Sequence, residues 1–487
     1  IKAIADWMVE RGTKYTWNGH YNNYKHGNNY QFVKEHLDDI QTELESRKEV
    51  ERVSYAEMDG FNVWFNPEFC RHLIKQEPQE ETTETVTNTD LNEVGFDQSE
   101  LGGAKARFKS NIEAIKTMQK LYREDRDATP EERKTLAKYV GWGGLANAFD
   151  EHNENWQKEY AELKELLSAD EYEAAKGSVL NAHYTSKDVI DGMYEALHRF
   201  GVRGNNKILE PALGTGNFFG FMHKDIAENA RLYGVELDPL TGKIASKLYP
   251  NANIQIKGFE QTTFTNDTFD VVVSNVPFGA YSVYDSEYAR HNFYVHDYFI
   301  AKSIDKLKPN GLMAVITSKG TMDKLNPSVR KYFADRAELI GAIRLPNNAF
   351  KQTANTEVVA DILFFRKREE KINADNENTE WLATGKTEEG YEINNYFIKH
   401  PEMILGTLVE ERGLYGALDV TVKPKDSNLS LDLSDAIGHL PNNFYINPEP
   451  STNIDKEEIE VDYDVKPLCY KAVNGKLYMR MGDSMVE

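Results

Sequence analysis

The sequence predicts an α/β fold with a seven-stranded, mostly parallel sheet in the middle of the chain. From about residue 180, short apolar runs rich in β-forming residues alternate with segments of helical length, which is typical of parallel strands joined by crossover helices. The last two runs stand too close for a full crossover, so we expect them to pair antiparallel. The runs are KILE (207–210), RLYGVE (231–236), NIQIKG (253–258), FDVVVSN (269–275), GLMAVIT (311–317), ELIGAIRL (338–345) and EVVADILFFR (357–366).

The composition is that of a globular protein rather than a disordered one. Hydrophobic residues make up 40% and charged residues 28% of the 487 residues, a length that favours two or three domains. No run of about 18 apolar residues could span a bilayer, and no signal-peptide pattern opens the chain. Cys70 and Cys469 form neither a disulfide framework nor a metal-ligand pattern, which favours a reducing, cytoplasmic location and no metal site. The chain begins with Ile, so we expect a piece of a longer polypeptide.

Changes in composition divide the chain into five predicted regions. Between 76 and 100 lie eight acidic residues and no basic one, which predicts a flexible acidic linker. The regions are a segment of unassigned role (1–75), the linker (76–100), a helical extension (101–175), the α/β core (176–370) and a C-terminal α+β region (371–487).

The helical extension carries two local signals. Thr129, Pro130 and Glu132 form a helix start, with a cap, a proline in the first turn and a capping-box acid. GWGGL at 141–145 is either a functional loop or, as we favour, a turn in which Trp142 is a packed anchor. A stripe of apolar residues at helical spacing predicts one buried helix face: Phe108, Ile112, Ile115 and Leu121.

The first motif that carries chemistry is ILEPALGTGNFFGFM at 208–222. A buried strand ends at Glu210, and the turn containing Gly214 and Gly216 leads into a helix that begins near Asn217. Glycines let the backbone approach a ligand closely, and the helix start is partly positive. An acid before the turn would repel a pyrophosphate but suits the cationic amino group of a methionine-type ligand. The alternative is a plain strand–turn–helix joint.

The next two strands add candidate groups for a nucleoside. Glu236, in GVELDP, lies 26 residues beyond Glu210, close to the spacing at which an acid binds ribose hydroxyls in doubly wound folds. Phe259, in KGFEQT, is either a stacking face for adenine or a core residue. Together with the first motif, these residues predict a nucleoside-bearing cofactor.

The third motif is FDVVVSNVPFG at 269–279, a buried strand that ends in Asn-Val-Pro-Phe-Gly. Here the sequence resembles the amino-methyltransferases, whose signature after the fourth strand is Asn/Asp/Ser-Pro-Pro-aromatic. The resemblance runs from about 180 to 367 in the order of the gamma class of adenine-specific DNA methyltransferases, from NAHYTSKDVIDGMYEAL (181–197) to GAIRLPNNAF (341–350). The segment 296–324, with GWGGL upstream, resembles the methylase regions of large helicase–methylase proteins of phages and conjugative elements.

The resemblance implies a Rossmann-like class I fold, S-adenosylmethionine as the cofactor, double-stranded DNA as the substrate and a helicase region or subunit as a possible partner. The implied catalytic residues are Asn275, Val276, Pro277 and Phe278. The implied cofactor-binding residues are Tyr184, Thr185, Glu210, Pro211, Ala212, Gly214, Gly216, Asn217, Glu236, Leu237 and Phe259. The implied substrate-binding residues are Phe350, Lys319 and Arg344.

The chemistry explains why these residue types occur together. The lone pair of an exocyclic purine amine is delocalised into the ring, so the amine is a poor nucleophile. The Asn275 side-chain oxygen and the Val276 carbonyl could each accept one amine hydrogen and favour a more pyramidal nitrogen. Phe278 offers a face for a base extruded from the duplex, and Phe350 either closes the other side or is a core residue.

The sequence departs from the family at two positions. Val276 stands where the family has proline, which keeps the carbonyl acceptor but loses rigidity. The family's acid after the third strand, which reads the cofactor's adenine amino group, aligns with Gly258, and Glu260 could replace it only if the turn is displaced.

The alternatives to adenine N6 methylation are other classes of methyltransferase and a module with little catalytic activity. Cytosine C5 methylation is excluded if the fold is right, because it needs a cysteine nucleophile near the sheet. Cytosine N4 enzymes more often carry Ser where this chain has Asn275. A protein glutamine N5-methyltransferase is the nearest chemical competitor, although such enzymes are smaller. A catalytically weak DNA-binding or anti-restriction module is the alternative from another class.

Binding of an acidic chain to DNA requires a local reversal of its net charge of −22. Residues 301–370 contain 13 Lys/Arg and 8 Asp/Glu, a balance of +5, and we expect this cluster to bind phosphates. The alternative is a set of solvated helix faces. Residues 371–487 are the predicted target-recognition region. Eleven of these 13 cations are taken as the basic cluster: Lys302, Lys306, Lys319, Lys324, Arg330, Lys331, Arg344, Lys351, Arg366, Lys367 and Arg368.

Overall fold

The chain divides into two compact units, residues 1–85 and 86–487. The structure, a computed structural model, describes residues 22–24, 36–48, 50–56, 60–65, 87–96, 102–179, 185–350, 358–376, 379–412, 418–449, 461, 463, 465–466, 469–473, 476–481 and 484–486. In the first unit, strand β3 (Gly60–Phe65) pairs antiparallel with both β1 (Asn22–Tyr24) and β2 (Val50–Ala56). Helix α1 (Leu37–Glu45) contacts β2 and buries Ile40 and Leu44.

A seven-stranded sheet forms the centre of the second unit, as the sequence predicts. Its strands are β4 (Lys207–Glu210), β5 (Arg231–Glu236), β6 (Asn253–Ile256), β7 (Phe269–Asn275), β8 (Leu307–Ser318), β9 (Ala337–Arg344) and β10 (Ala360–Lys367). The strand order is β6-β5-β4-β7-β8-β10-β9. Strand β10 pairs antiparallel with both β8 and β9, while the other pairings are parallel, so the expected antiparallel hairpin is confirmed.

Helices surround the sheet, and those at 239–248, 295–306 and 328–334 contact its strands directly. They are α2 (Leu91–Val94), α3 (Ala104–Glu124), α4 (Pro130–Ala137), α5 (Gln157–Leu166), α6 (Ala169–Ser178), α7 (Lys187–Phe200), α8 (Asn217–Gly220), α9 (Lys224–Ala227), α10 (Pro239–Leu248), α11 (Val295–Lys306), α12 (Gly320–Asp323), α13 (Ser328–Ala334), α14 (Asn395–Lys399) and α15 (Leu429–Gly438). Within the described residues, no helix has the length and apolar character needed to cross a membrane.

The helical extension follows its sequence signals closely. The predicted stripe is the buried face of α3, and Thr129 and Glu132 form the expected capping box at the start of α4. Trp142 is fully buried and makes edge-to-face contacts with Tyr139 and Phe149, which confirms the packed-anchor interpretation of GWGGL.

Residues 87–96 differ from the expected flexible linker. Asp90 caps α2 by accepting hydrogen bonds from the next turn, and Thr89 donates its backbone N–H and its hydroxyl to the Leu248 carbonyl. Leu91 and Phe96 are buried, and the ring of Phe96 stacks on that of Phe221. The count of acidic residues did not predict this packing, because the two apolar side chains are sufficient to hold the segment against the core.

The C-terminal region packs directly on the sheet layer. Its strands are β11 (Thr384–Lys386), β12 (Glu392–Asn394), β13 (Thr407–Arg412), β14 (Leu418–Lys423), β15 (Tyr470–Val473), β16 (Lys476–Met481) and β17 (Ser484–Val486), all joined by antiparallel pairings. Helix α15 packs on α7, where a Cβ at Gly192 would lie 2.2 Å from Leu433. Asn347 donates its backbone N–H to the Val422 carbonyl, which ties β14 to the segment after β9.

Candidate active site

The Gly-rich turn follows β4 as predicted. Gly214 and Gly216 both have positive φ, +56° and +80°, which other residues rarely adopt. A Cβ at Gly216 would also lie 2.4 Å from the Tyr249 ring. Helix α8 begins at Asn217, and Glu210, the last residue of β4, is 2% exposed. Both glycines are therefore needed for the backbone path.

Glu236 links the Gly-rich turn to the end of β5. One carboxylate oxygen accepts the Gly214 backbone N–H at 2.7 Å, and the other accepts the Asp238 N–H at 2.7 Å. Asp238 in turn caps α10 by accepting from the backbone N–H groups of Leu240 and Thr241. The two acids thus fix the relative positions of the turn and α10.

Both acids at this edge have raised pKa values. Burial, reinforced by the Glu236 carboxylate, raises the pKa of Glu210 well above its ordinary range. Burial raises the pKa of Glu236 to about 7, opposed by its backbone hydrogen bonds. Such carboxyls are poised to ionise when a positive charge arrives.

Phe259 is 2% exposed and packs against Phe299, with ring centroids 5.2 Å apart, so its ring belongs to the aromatic core beside the site. The neighbouring Glu260 lies close to Gly258, which stands where the family has an acid. A Cβ placed on Gly258 would meet the two carboxylate oxygens of Glu260 at 2.1 and 2.4 Å. The Glu260 carboxylate therefore occupies the space from which an acidic side chain at position 258 would project.

The Asn-Val-Pro-Phe segment begins at the last residue of β7. Asn275 pairs with Ile316 of β8, and its side-chain oxygen is buried. Val276 is 2% exposed and donates its N–H to the Ile316 carbonyl at 3.2 Å, a bond that the family's proline could not make. Pro277 and Phe278 are half-buried. The extra hydrogen bond compensates for part of the rigidity that proline would supply.

The two motifs meet at one edge of the sheet. Strand β4 pairs in parallel with β7, with Leu209 opposite Val272, so Glu210 and Asn275 end neighbouring strands. The strand order reverses between these two parallel strands: β5 and β6 follow on one side, and β8 to β10 follow on the other. Ligands of open α/β sheets bind at such a point, beyond the carboxyl ends of the strands.

The remaining predicted cofactor residues have varied surroundings. Tyr184 lies outside the described residues. Thr185 and Pro211 are buried, and Ala212 is half-buried. Leu237 is 71% exposed at the end of β5, an apolar side chain open to contact beside the acids.

Arg344 and Lys319, the two predicted substrate-binding cations, are both paired within the chain. Arg344 is 1% exposed and makes a two-pronged bond to Asp361, at 2.8 and 2.9 Å, and an ion pair with Asp323 at 2.8 Å. Lys319 pairs with Asp419 at 2.6 Å and donates to a backbone carbonyl of β14. Both cations are neutralised within the chain. Phe350 is 1% exposed, which places its ring in the core.

Contacts within the chain also occupy the wider basic cluster, and its role in phosphate binding stays a prediction. Lys302 and Arg330 are almost fully buried, and each described member of the cluster has an acceptor in the chain. Besides Lys319 and Arg344, the pairs are Lys302 with Asp285, Lys306 with Asn266, Lys324 with Asp297, Arg330 with the Leu382 carbonyl, Lys331 with Asp375, Arg366 with Glu338, Lys367 with Asp267 and Arg368 with the Ala334 carbonyl. Lys351 lies outside the described residues.

Sequence reasoning missed His296, at the start of α11. Its ring is 4% exposed, and burial lowers its pKa, opposed by Asp297 and by the backbone of Gly279. The imidazole therefore lies against the residue that follows the Asn-Val-Pro-Phe segment. A histidine 17 residues past Gly279 gives no local signal, since only the fold brings the two together.

The strand order, with one reversed strand inside the far edge, and the two motifs at the switch point define a class I S-adenosylmethionine-dependent methyltransferase fold. Residues 166–396 match the model of the N-6 DNA Methylase family.

Comparison with known proteins finds relatives encoded by viruses. Defense against restriction protein B of Escherichia phage P1 is 29% identical over 269 residues, which cover 54% of this chain and 10% of the phage protein. Type II methyltransferase M.CvrRI of Paramecium bursaria Chlorella virus XZ-6E is 27% identical over 199 residues, or 38% of this chain and 48% of the viral protein. The chain thus spans a tenth of one relative and about half of the other.

Among solved structures, a type I restriction-modification methyltransferase subunit from Streptococcus thermophilus matches at 15% identity and a TM-score of 0.38. The match covers 75% of this chain and 80% of that one. A class I S-adenosylmethionine-dependent methyltransferase from Listeria monocytogenes, described as putative, matches at 18% identity and a TM-score of 0.36, covering 54% and 88%.

The family and the fold imply S-adenosylmethionine as the cofactor, and the Gly-rich turn fits it. One carboxylate oxygen of Glu210 and the side-chain nitrogen of Asn217 are buried without a hydrogen-bond partner among the described residues. A buried acceptor and a buried donor suit the ammonium and the carboxylate of a methionine moiety. Glu236 retains acceptor capacity for ribose hydroxyls, because each of its oxygens has a second lone pair.

Proposed function

We propose that this chain transfers a methyl group from S-adenosylmethionine to the N6 amine of an adenine extruded from double-stranded DNA. The observation that carries the proposal is the placement of Glu210 and Asn275 at the ends of adjacent strands β4 and β7. The Gly-rich turn on one strand would hold the cofactor, and the Asn-Val-Pro-Phe segment on the next would hold the amine. The match to the N-6 DNA Methylase family model supports the choice of substrate.

The roles of the chain's own residues follow from their chemistry. Bound S-adenosylmethionine supplies an electrophilic methyl group on a positively charged sulfur. Asn275 Oδ1 and the Val276 carbonyl accept the two amine hydrogens, which frees the nitrogen lone pair from the ring. Phe278 stacks on the extruded base, a contact worth about 1–3 kcal/mol that offsets part of the cost of extrusion. As the amine nitrogen takes the methyl group, the methyl–sulfur bond would break, neutral S-adenosylhomocysteine would be left, and one amine proton would pass to water.

A label-transfer experiment tests the proposal. The protein is incubated with S-adenosylmethionine labelled in the methyl group and with unmethylated duplex DNA, and the DNA is digested to nucleosides. We expect the label in N6-methyldeoxyadenosine. Label in a methylated cytosine would contradict the choice of base. Label only in an added release-factor protein would favour the glutamine N5-methyltransferase.

A second function is favoured by the similarity to the phage protein named for defence against restriction. On that hypothesis the region binds DNA and shields it from restriction, while methyl transfer is slow. Val276 in place of proline is consistent with a slow enzyme. DNA that gains resistance to cleavage in the presence of an Asn275→Ala variant would support shielding. Resistance that requires Asn275 would support methylation.

A further inference from the structure

The GWGGL motif has no part in the methyl-transfer chemistry, yet it lies beside the cofactor-binding edge. Helices α3 and α4 of the helical extension both pack on α10, the helix that Asp238 caps. Tyr122 of α3 donates its hydroxyl to the Lys243 carbonyl of α10. Tyr139 follows α4 directly, and Trp142 is three residues further along.

This segment is held rigidly. The fully buried Asn111 side chain donates to the Gly141 carbonyl at 2.6 Å and accepts the Val140 N–H at 2.9 Å. Gly141 and Gly144 have positive φ, +63° and +71°, so the loop follows a path that other residues resist. Trp142 fills the space inside the loop with no exposed surface. Such rigidity exceeds what a simple connection between helices requires.

Both polar side-chain atoms of the segment, the Tyr139 hydroxyl and the Trp142 indole nitrogen, are fully buried. Burial raises the pKa of Tyr139, and the Asp238 carboxylate raises it further, while Thr241 opposes the shift. The hydroxyl therefore faces the first turn of α10. It lies against the Thr241 side chain and the Trp142 indole, so it connects the GWGGL segment to that turn.

A continuous set of polar contacts leads from that turn to the Gly-rich loop. The Thr241 hydroxyl donates to Asp238, whose backbone N–H donates to one oxygen of Glu236. The other Glu236 oxygen accepts the Gly214 N–H. A shift of the first turn of α10 would therefore move the acid that faces the ribose.

We propose that Tyr139 and Trp142 are positioning residues of the cofactor's ribose subsite, which hold the first turn of α10 and, through Asp238, the carboxylate of Glu236. The inference deepens the proposed function, since it depends on a nucleoside-bearing cofactor at this edge. On this proposal the GWGGL segment sets the affinity for the ribose diol by fixing the position of the first turn of α10.

The test compares two ligands on matched variants by calorimetry: S-adenosylhomocysteine and its 2′-deoxy analogue. Tyr139→Phe removes only the hydroxyl. We expect it to raise the dissociation constant for S-adenosylhomocysteine about tenfold, and that for the deoxy analogue by less than about twofold. Glu236→Gln should show the same selective loss. Trp142→Phe provides a second variant if the first does not fold.

Tyr172→Phe is the control, a buried tyrosine of the same extension whose ring contacts Phe149, Tyr160 and the Lys164 ammonium. It should change neither dissociation constant. Equal losses for both ligands in Tyr139→Phe would mean a merely structural role and would overturn the inference, as would no loss at all. A wild-type protein that binds neither ligand would overturn the proposed function and this inference with it. Normal binding and methylation in Tyr139→Phe would overturn the inference alone.

Discussion

Glu210 and Asn275 end neighbouring parallel strands, with Leu209 opposite Val272 in the register that joins them. Strands in a sheet lie about 4.8 Å apart, so the two motifs open at the same edge. The carboxyl of Glu210 is buried with an unused oxygen, and the side-chain oxygen of Asn275 is buried as well. A cofactor site and an amine site on adjacent strand ends are what direct methyl transfer requires.

Replacement of Asn275 by Ala should abolish methyl transfer while the cofactor still binds. The variant loses one of two acceptors for the amine, and loss of a single preorganised group of this kind lowers turnover by about 10²–10³-fold. Transfer of labelled methyl groups to DNA measures the effect, and calorimetry with S-adenosylhomocysteine measures binding. Asn153→Ala, on the helical extension, is the control. Full turnover in Asn275→Ala would refute the amine-binding role.

Cofactor binding should release protons near neutral pH. Burial raises the pKa of Glu236 to about 7 and raises that of Glu210 well above its ordinary range, and the positively charged cofactor favours the ionised forms. Affinity should therefore rise as the pH increases through 7. Calorimetry in buffers of different ionisation enthalpy measures the released protons. A binding enthalpy that is independent of the buffer would contradict the expectation.

The same carboxyls affect stability in the opposite direction. Their pKa values are raised in the folded protein, so the folded state holds protons that the unfolded chain releases above about pH 4.5. Without ligand, stability from this source is greatest below pH 4.5 and is lost as the pH rises toward 7. Glu236→Gln should remove its part of that loss, which thermal melting at pH 5 and pH 7 measures. An identical pH dependence in the variant would exclude Glu236 as a source.

Glu260 should read the adenine of the cofactor in place of the family's acid at position 258. Glu260→Ala should weaken binding of S-adenosylhomocysteine about tenfold, since a hydrogen bond to a charged group is lost. Gly258→Asp alone should bind poorly, because its Cβ displaces the flexible Glu260 carboxylate, now 2.1 Å away, and its own carboxylate repels that of Glu260. The double variant Gly258→Asp/Glu260→Ala should recover much of the affinity. Tight binding in Glu260→Ala alone would show that the carboxylate is not used.

Arg344 should act on stability rather than on DNA binding. Arg344→Ala leaves the buried Asp361 carboxylate unpaired, which should lower the free energy of unfolding by about 3–5 kcal/mol. Arg366→Ala, which breaks an exposed pair with Glu338, should cost less than about 1 kcal/mol. Urea unfolding compares the two variants. Equal stability of the two would contradict the structural role.

The sequence predicted the sheet well because its signals are local. Each strand is a short apolar run, and the glycines at 214 and 216 mark the turn without reference to the rest of the chain. The same holds for the capping box at Thr129. Periodicity and backbone chemistry are properties of neighbouring residues, so they can be recognised without coordinates.

The partners of the basic cluster could not be predicted from the sequence because charge pairing is not local. Arg344 meets Asp361 across paired strands, and Arg330 bonds to a carbonyl 52 residues away. A count of +5 in the sequence carries no information about which cations are neutralised by the fold. The position of the Glu260 carboxylate could not be predicted for a similar reason, since the backbone turn and the side-chain rotamer determine where it lies.

A bisubstrate compound gives the most direct test of the shared cleft. In this compound the N6 nitrogen of adenine is joined by a short linker to the 5′ carbon of the cofactor's nucleoside. We expect it to bind more tightly than S-adenosylhomocysteine, and to lose that advantage in Asn275→Ala as well as in Glu210→Gln. A compound that binds no more tightly than S-adenosylhomocysteine, or whose advantage survives Asn275→Ala, would contradict a common site behind Glu210 and Asn275.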